Sequence, residues 1–240
     1  MTIYPKSRIH GQSEPHFPGD RHRLRRPIDR GDTRLVRRDQ HLLQAGAPIA
    51  HPWLVVAGML KSYRLDADGE EQVLDFHVPG DIIGLEAVVQ ATADHSIIAL
   101  DTCNVRALPA DVSAVDATEA ESYTQMIIDG MYQEILRLTR RLNMSVEPTD
   151  QRLAGWLLEF SEAQRRRGLK PYEFRLPMRR RDLALYLGLA TETLSRAFTR
   201  LRNRGLVAVN NYEIRILDAE GLGALAGKDR EAAHADQAKG

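Results

Sequence analysis

The sequence has almost no cysteine and no long apolar run, and each shortage excludes a class of protein. Cys103 is the single cysteine, so the chain cannot form an internal disulfide or supply the ligands of a structural zinc or iron–sulfur site. No apolar run approaches the roughly 20 residues that cross a bilayer, and the first residues lack the basic-then-apolar order of a secretory signal. We therefore expect a cytoplasmic protein with no membrane partner.

The chain also lacks a net charge, because it has 33 basic and 33 acidic residues. The balance is uneven along the sequence. Residues 147–217 hold fourteen basic and eight acidic residues, a net charge of +6, so the remainder carries −6. This asymmetry favours a polyanion-binding domain attached to one that does not face nucleic acid. An ordinary solvated surface explains the charge alone equally well.

The sequence pattern of the N-terminal half of the chain changes near residue 34. Residues 1–33 show neither strand nor helix periodicity, and we predict a flexible arm. Over residues 34–118, short β-rich runs alternate with glycine turns, which is typical of an antiparallel roll or barrel. Cys103 lies in the run IIALDTCNVRAL among mostly apolar neighbours, so we interpret it as a small buried hydrophobe and not as a reactive thiol.

A long helix with a narrow apolar stripe is predicted over residues 119–146. The apolar residues recur at alternating steps of three and four, which is the spacing of a coiled-coil seam. The seam consists of Ile128, Met131, Ile135, Leu138 and Leu142. A helix that packs on its own domain usually shows a wider stripe, so the pattern favours the same helix of a second subunit as partner. Pro148 ends the helix.

The final structured third, residues 147–217, is predicted to contain three helices, a strand and a hairpin. The predicted helices cover residues 149–166, 178–187 and 191–204, and Gly188-Leu189-Ala190 forms the turn between the last two. Gly205 follows where a helix C-terminal cap needs a positive φ. A β-hairpin then turns at Asn210-Asn211. Residues 218–240 are polar and rich in alanine, and we predict a flexible tail.

The helix predicted over 191–204 begins with side chains that suit DNA bases. In a helix-turn-helix, the N-terminal residues of the second helix enter the major groove. Glu192, Ser195 and Arg196 share one face at spacings of three and four. Arginine can bind guanine O6 and N7, glutamate can accept from cytosine N4, and serine can donate or accept. We predict that these three side chains contact bases. A Glu192–Arg196 ion pair on a solvated surface is the alternative.

At this point two segments resemble a known superfamily. RRDLALYLGLATETLSRAFTRLRNRGLVAV looks like the winged helix-turn-helix of the CRP/FNR regulators, and GMLKSYRLDADGEEQVLDFHVPGDIIGLEAV is similar to their sensory β-roll. The resemblance spans about residues 34–217. It implies an α+β fold: an N-terminal antiparallel β-roll of the cyclic-nucleotide-binding type, a long dimerisation helix and a C-terminal winged helix-turn-helix. The implied function is a homodimeric transcription regulator that binds double-stranded DNA and contacts RNA polymerase.

The resemblance also implies roles for individual residues. Glu192, Ser195 and Arg196 match the Glu-x-x-Ser-Arg pattern of the FNR and FixK branches, which implies a palindrome resembling TTGAT-N4-ATCAA. Arg180 is implied as a phosphate contact, with a solvent-facing arginine as the alternative. We further expect DNA-backbone contacts from three hydroxyl side chains, those of Thr191, Thr193 and Thr199.

The sequence leaves the signal open. Cyclic-nucleotide receptors of this superfamily hold the phosphate with an Arg-Ser pair supported by a glutamate. Here His95-Ser96 takes the place of that pair, and the supporting turn contains Glu86. Without the arginine the bidentate phosphate contact is lost, so we predict no cAMP binding. FNR itself binds a cluster through cysteines in its arm and one in its roll. Cys103 resembles the roll cysteine, but residues 1–33 contain none, so we predict no such cluster.

Two alternatives stay open within the family. One is a FixK-type regulator that needs no cofactor, and the other is a haem protein like the nitric-oxide-responsive branch. The candidate haem ligands are His10, His16, His22 and His77. Either type implies oxygen, nitrogen-oxide or related metabolic control. Outside the family, the alternative is a cyclic-nucleotide-binding or haem-binding module that regulates a partner protein. No P-loop, metal-ligand spacing or nucleophile motif is found, so we expect neither an enzyme nor a metal site.

Overall fold

The structure is a computed structural model, and it describes residues 32–144 and 147–227. The predicted arm at 1–33 lies outside the described residues except for its last two positions. The candidate haem ligands His10, His16 and His22 therefore also lie outside them.

Eight short strands form the N-terminal domain. They are β1 (Thr33–Val36), β2 (His41–Leu43), β3 (Trp53–Ala57), β4 (Leu60–Leu65), β5 (Glu71–His77), β6 (Ile82–Ile83), β7 (Ser96–Ala99) and β8 (Cys103–Ala107). They pair antiparallel in two four-stranded sheets, with the orders β1-β8-β3-β6 and β2-β7-β4-β5. The inner faces of both sheets contribute to one apolar core. The predicted antiparallel roll is therefore confirmed.

The chain crosses from one sheet to the other at Gly58. This residue has a φ of +81°, and a Cβ placed there would lie 2.7 Å from both the Cys103 Sγ and the Thr102 carbonyl oxygen, so only glycine fits. Cys103 is fully buried beside it and donates to the Met59 carbonyl oxygen at 3.2 Å. Cys103 therefore serves as the small core residue that the sequence predicts.

The long helix is α1 (Ala120–Met144). Its first half packs on the roll through Tyr123 and Met126, which are buried with Ile82 and Leu108. Its second half is tied to β5 by Arg141, whose guanidinium donates to two carbonyl oxygens of that strand at 2.6 and 2.7 Å. One side of α1 thus belongs to the roll, and the predicted apolar seam lies on another side.

The C-terminal domain follows the predicted order closely. Its elements are α2 (Thr149–Arg166), β9 (Glu173–Arg175), α3 (Arg180–Tyr186), α4 (Thr191–Asn203), β10 (Val207–Asn210), β11 (Glu213–Ile216) and α5 (Ala219–Leu225). The three strands form a small sheet in the order β10-β11-β9. The predicted second helix, 178–187, begins two residues later and ends one residue earlier than expected, and the turn after it lies where predicted.

The prediction of a flexible tail from residue 218 is wrong for its first ten residues. The Asp218 side chain accepts a hydrogen bond from the Gly221 amide at 2.9 Å and so caps α5. Leu222 is fully buried, and α5 packs against α2. The C-terminal domain therefore extends beyond 217, because this helix fills part of its core.

The roll and the C-terminal domain share an apolar core. Phe76 of β5 lies 6.3 Å from the ring of Trp156 and 5.2 Å from that of Tyr186, measured between ring centroids. A buried ion pair joins the same two domains, since the Lys61 Nζ donates to the Asp182 Oδ1 at 2.9 Å. These contacts fix α3, and with it α4, relative to the roll.

Candidate nucleic-acid interface

The second helix of the helix-turn-helix, α4, is held by one buried face. Leu194, Ala197, Phe198 and Leu201 all lie in the shared apolar core. Gly205 has a φ of +72°, and the helix ends in a Schellman motif because the Leu206 amide donates to the Leu201 carbonyl oxygen at 3.1 Å. The opposite face of α4 is thereby directed to solvent.

The three predicted base-contacting residues lie together on that exposed face. Glu192, Ser195 and Arg196 are all exposed. Neither Glu192 nor Arg196 forms an ion pair or hydrogen bond with any residue that the structure describes. The Ser195 hydroxyl donates to the Thr191 carbonyl oxygen at 2.9 Å, which leaves its oxygen able to accept. The intrahelical Glu192–Arg196 ion pair, which was the alternative, is thus absent from the part of the chain that the structure describes.

The predicted backbone contacts surround this face. Thr191 and Thr193 are half-buried in the first turn of α4. Thr199 is exposed one turn beyond Ser195, and its hydroxyl donates to the Ser195 carbonyl oxygen at 3.1 Å. Ala190 precedes the helix and has no side-chain acceptor, so the first amides of α4 keep their capacity to bind an anion.

Arg180 is braced and not simply solvent-facing. Its guanidinium lies 3.9 Å from the centroid of the Phe198 ring, and its Nη2 donates to the Asn211 carbonyl oxygen at 2.9 Å. Burial lowers the pKa of this guanidinium. The side chain therefore connects α3, α4 and the hairpin, which sequence spacing does not indicate.

Two further arginines of this domain are engaged in ion pairs that the sequence does not reveal. Arg200 of α4 makes a bidentate contact with Asp150 of α2, with its Nε 2.9 Å from the Oδ2. Arg181 of α3 lies 3.0 Å from Glu70 in the turn between β4 and β5. Both arginines are partly neutralised, so the exposed face of α4 depends on Arg196 for its positive charge near the turn.

Two residues that are predicted to take the place of the cyclic-nucleotide phosphate site, Glu86 and His95, form a compact polar cluster with Asp94. The His95 Nδ1 lies 2.5 Å from the Asp94 Oδ1 and 3.7 Å from the Glu86 Oε1. Burial opposes ionisation of Asp94, but hydrogen bonds from His95 and Arg64 lower its pKa. Each of the three residues places a potential metal-ligand atom within 4.8 Å of the others. The Arg64 Nη2 also lies 2.5 Å from the Asp94 Oδ2, so within the described structure a guanidinium already contacts this carboxylate.

The remaining candidate ligands of the roll are buried. The ring of His77 is enclosed, its Nε2 lies 3.0 Å from the Ser62 Oγ, and burial holds its pKa well below the usual value. Burial and the carboxylate of Asp101 raise the pKa of Cys103 to about 12. Neither side chain offers an open position to a haem or an iron–sulfur cluster. Within residues 32–144 and 147–227, no helix combines the length and hydropathy of a membrane span.

Comparison with known proteins agrees with this architecture. Residues 151–225 match the Crp-like helix-turn-helix domain, and residues 33–113 match the cyclic nucleotide-binding domain. The chain is 33% identical over 199 residues to the transcriptional activator protein anr of Pseudomonas aeruginosa, covering 82% of each protein. It is 31% identical over 211 residues to the transcriptional activator protein FnrA of Stutzerimonas stutzeri, covering 84% of this chain and 80% of FnrA.

A solved structure shows the same arrangement. The structure of FixK2 from Bradyrhizobium japonicum superposes with a TM-score of 0.70 at 26% sequence identity, covering 81% of this chain and 96% of FixK2. The helix-turn-helix match ends at residue 225, which places α5 inside the C-terminal domain.

Proposed function

Because the chain belongs to the CRP/FNR family of DNA-binding transcription regulators, we propose that it acts as a homodimer on a palindromic site. The proposed division is a roll over 34–118, a dimerisation helix over 119–146 and a DNA-binding domain over 147–227. The relatives are transcription regulators and not enzymes, and we assign no catalytic activity to this chain.

The observation that carries the proposal is the exposed face of α4. Glu192 and Arg196 are charged, exposed and without a partner in the described chain, whereas the opposite face of the helix is fully buried. Arg196 is assigned to guanine, Glu192 to cytosine, and Ser195 to a neighbouring base. A TTGAT-N4-ATCAA-like palindrome supplies such bases in both half-sites.

Backbone contacts would fix the register of α4 on the duplex. We assign them to Arg180, Thr191, Thr193 and Thr199. Arg180 is held against Phe198 and its Nη2 donates to the Asn211 carbonyl oxygen, so a phosphate contact from this side chain would cost little further conformational entropy. The free amides of the first turn of α4 add a site for a second phosphate.

The dimer is proposed from the seam of α1. Ile128, Ile135 and Leu138 are 52%, 59% and 53% exposed, and Met131 and Leu142 are exposed as well. These residues follow the heptad spacing of a two-stranded coiled coil, for which a second copy of the same helix is the natural partner. A two-fold dimer would place the two α4 helices in successive major grooves about 34 Å apart.

The dimer is proposed to act in the cytoplasm through contact with RNA polymerase, in oxygen, nitrogen-oxide or related metabolic control. Support comes from the relatives, since anr and FnrA are both named transcriptional activators. We propose no resident cofactor. The absence of an arginine before Ser96 argues against cAMP, and the enclosed ring of His77 argues against haem at that residue.

Arg196→Ala tests the role of α4. Because one good bidentate contact contributes about 1–3 kcal/mol of discrimination, the variant should bind a TTGAT-N4-ATCAA duplex more weakly by that amount in a fluorescence anisotropy titration. Binding to a random duplex should change little. Arg202→Ala is the matched control, since Arg202 is exposed near the other end of the same helix.

The result that contradicts the assignment is an equal loss on both duplexes. Such a loss would mean that Arg196 contributes charge alone. If Arg202→Ala weakened binding to the TTGAT-N4-ATCAA duplex as much as Arg196→Ala, this would also contradict the assignment of base contacts to the N-terminal part of α4.

A further inference from the structure

A cleft of about 270 Å³ lies between the roll and the C-terminal domain. The roll contributes Arg38 and Asp101, together with the Gly58-Met59 turn. The C-terminal domain contributes Phe160 of α2, Arg167 immediately after α2, and Arg175 of β9. The cleft contains no residue of α4 and none of the Glu86, Asp94 and His95 cluster.

The charges of the cleft are unbalanced. Arg167 is half-buried, and its Nη1 donates to the neutral side-chain oxygen of Gln164 at 2.9 Å. Arg175 forms no ion pair within the described chain. Among the residues that the structure describes, Arg38 forms an ion pair with its neighbour Asp39 alone, with its Nε 3.7 Å from the Asp39 Oδ2.

Asp101 is the single acidic residue among those that line the cleft, and it is already engaged. Its Oδ1 accepts the amide of Met59 at 2.7 Å and lies 3.4 Å from the Cys103 Sγ. Burial lowers the pKa of Arg167 although Asp81 and Asp101 attract its charge. Three arginines therefore line the cleft with one carboxylate, and that carboxylate already serves the turn at Gly58.

We propose that this cleft binds a small phosphorylated ligand through Arg38, Arg167 and Arg175. The planar fork of arginine matches two phosphate oxygens, and arginine keeps its charge when partly desolvated. Phe160, Leu176 and Pro177 supply an apolar wall beside the arginines. The volume lies just below the usual range for small-molecule sites, roughly 300–1,000 Å³, which favours a diphosphate or mononucleotide over a dinucleotide.

Binding there would also connect the two domains. Arg38 belongs to the roll, whereas Arg175 belongs to the sheet that carries the hairpin beside α4. A ligand that contacts both arginines stabilises the arrangement in which the two domains are adjacent. The size of this stabilisation is set by the difference between the ligand's affinity for that arrangement and its affinity for other arrangements of the domains. The cleft thereby provides a route for a signal that does not use the cyclic-nucleotide site.

The test uses the full chain without DNA, so that a failure of the DNA-binding proposal does not affect it. Pyrophosphate, ADP and adenosine are titrated at constant ionic strength by isothermal calorimetry. Pyrophosphate and ADP should bind saturably, and adenosine should not. Arg38→Gln and Arg167→Gln should each weaken binding about tenfold, the loss that accompanies one charge-assisted contact. Arg166→Gln is the control, because Arg166 is the exposed neighbour of Arg167 and lines no part of the cleft.

The arms also separate two sources of the phosphate. Tighter binding of ADP than of pyrophosphate supports a nucleotide, and equal binding supports a free diphosphate. The proposal is overturned if no saturable binding occurs at millimolar concentration, if adenosine binds as well as ADP, or if both cleft variants bind like the control. Circular dichroism of each variant establishes that it is folded.

Discussion

Lys61→Met should destabilise the protein far more than removal of an exposed lysine. Lys61 is 5% exposed, and its Nζ donates to Asp182 at 2.9 Å and to Glu71 at 2.8 Å. Burial disfavours its charge, but these two carboxylates outweigh that penalty and raise the pKa of Lys61. The ammonium is therefore charged throughout the neutral range.

The size of this destabilisation depends on the Asp182 carboxylate, which stays in place when Lys61 is replaced. Asp182 is 7% exposed, and its Oδ2 accepts the Arg179 amide at 3.1 Å at the start of α3. Without Lys61, this carboxylate stays buried, and no other cation of residues 32–144 and 147–227 forms an ion pair with it. Loss of one partner from a buried ion pair costs about 3–5 kcal/mol of unfolding free energy. The double variant Lys61→Met/Asp182→Asn should recover part of that loss, because it removes the buried charge.

Urea denaturation followed by tryptophan fluorescence measures this directly. The chain has two tryptophans, Trp53 in the roll and Trp156 in α2, so each domain carries its own probe. Lys170→Met is the control, since its ammonium is exposed and bound to Glu173 at 3.2 Å on the surface; the expected change is within about 0.5 kcal/mol. An unfolding midpoint of Lys61→Met equal to that of Lys170→Met would refute the argument.

Three further predictions concern the roll and α1. Burial raises the pKa of Asp75 to about 7 despite Arg137, so between about pH 4 and 7 the folded state holds a proton that the unfolded chain has released. Wild-type stability relative to Asp75→Asn should therefore fall as the pH rises through that window, and a constant difference would be contrary evidence. Iodoacetamide near pH 8 should alkylate Cys103 slowly in the folded protein and fully in urea, because its pKa of about 12 leaves almost no thiolate; equal rates would mean that the thiol is accessible. Leu138→Asp should give a monomer by light scattering while Thr139→Asp, at an exposed neighbouring position, stays dimeric, and a dimeric Leu138 variant would reject the seam.

The helices of the DNA-binding domain are predictable because their signals are local. The spacing of Leu194, Phe198 and Leu201 marks the buried face of α4, and Gly205 marks its end. The exposed face follows by elimination, so Glu192 and Arg196 lie where the sequence predicts. What the sequence leaves undecided is whether such side chains pair with each other, and that depends on side-chain geometry.

Helix α5 is not predicted from the sequence, because its stability depends on packing against a distant helix and not on the helix propensity of its own residues. It has seven residues, two of them glycine, which is too short and too flexible to form alone. Burial of Leu222 against α2 and the Asp218 cap supply what propensity lacks. A periodicity search over so few residues has too little signal to separate this helix from a polar tail.

Contacts between elements that are distant in the sequence are not predictable for a related reason. Lys61 and Asp182 are 121 residues apart, and Arg200 and Asp150 are 50 apart. Each pair forms because the packing of the domains brings two elements together. The same packing creates the arginine-lined cleft at Arg167, which no motif in the sequence indicates.

Selection of bound duplexes from random DNA tests the central claim most directly. The full chain is incubated with a random library, and the bound fraction is sequenced after several rounds. Two-fold placement of α4, with Glu192 and Arg196 on bases, predicts enrichment of a TTGAT-N4-ATCAA-like palindrome with half-site centres about one helical turn apart. Enrichment of an unrelated or asymmetric sequence, or of none, would contradict the account.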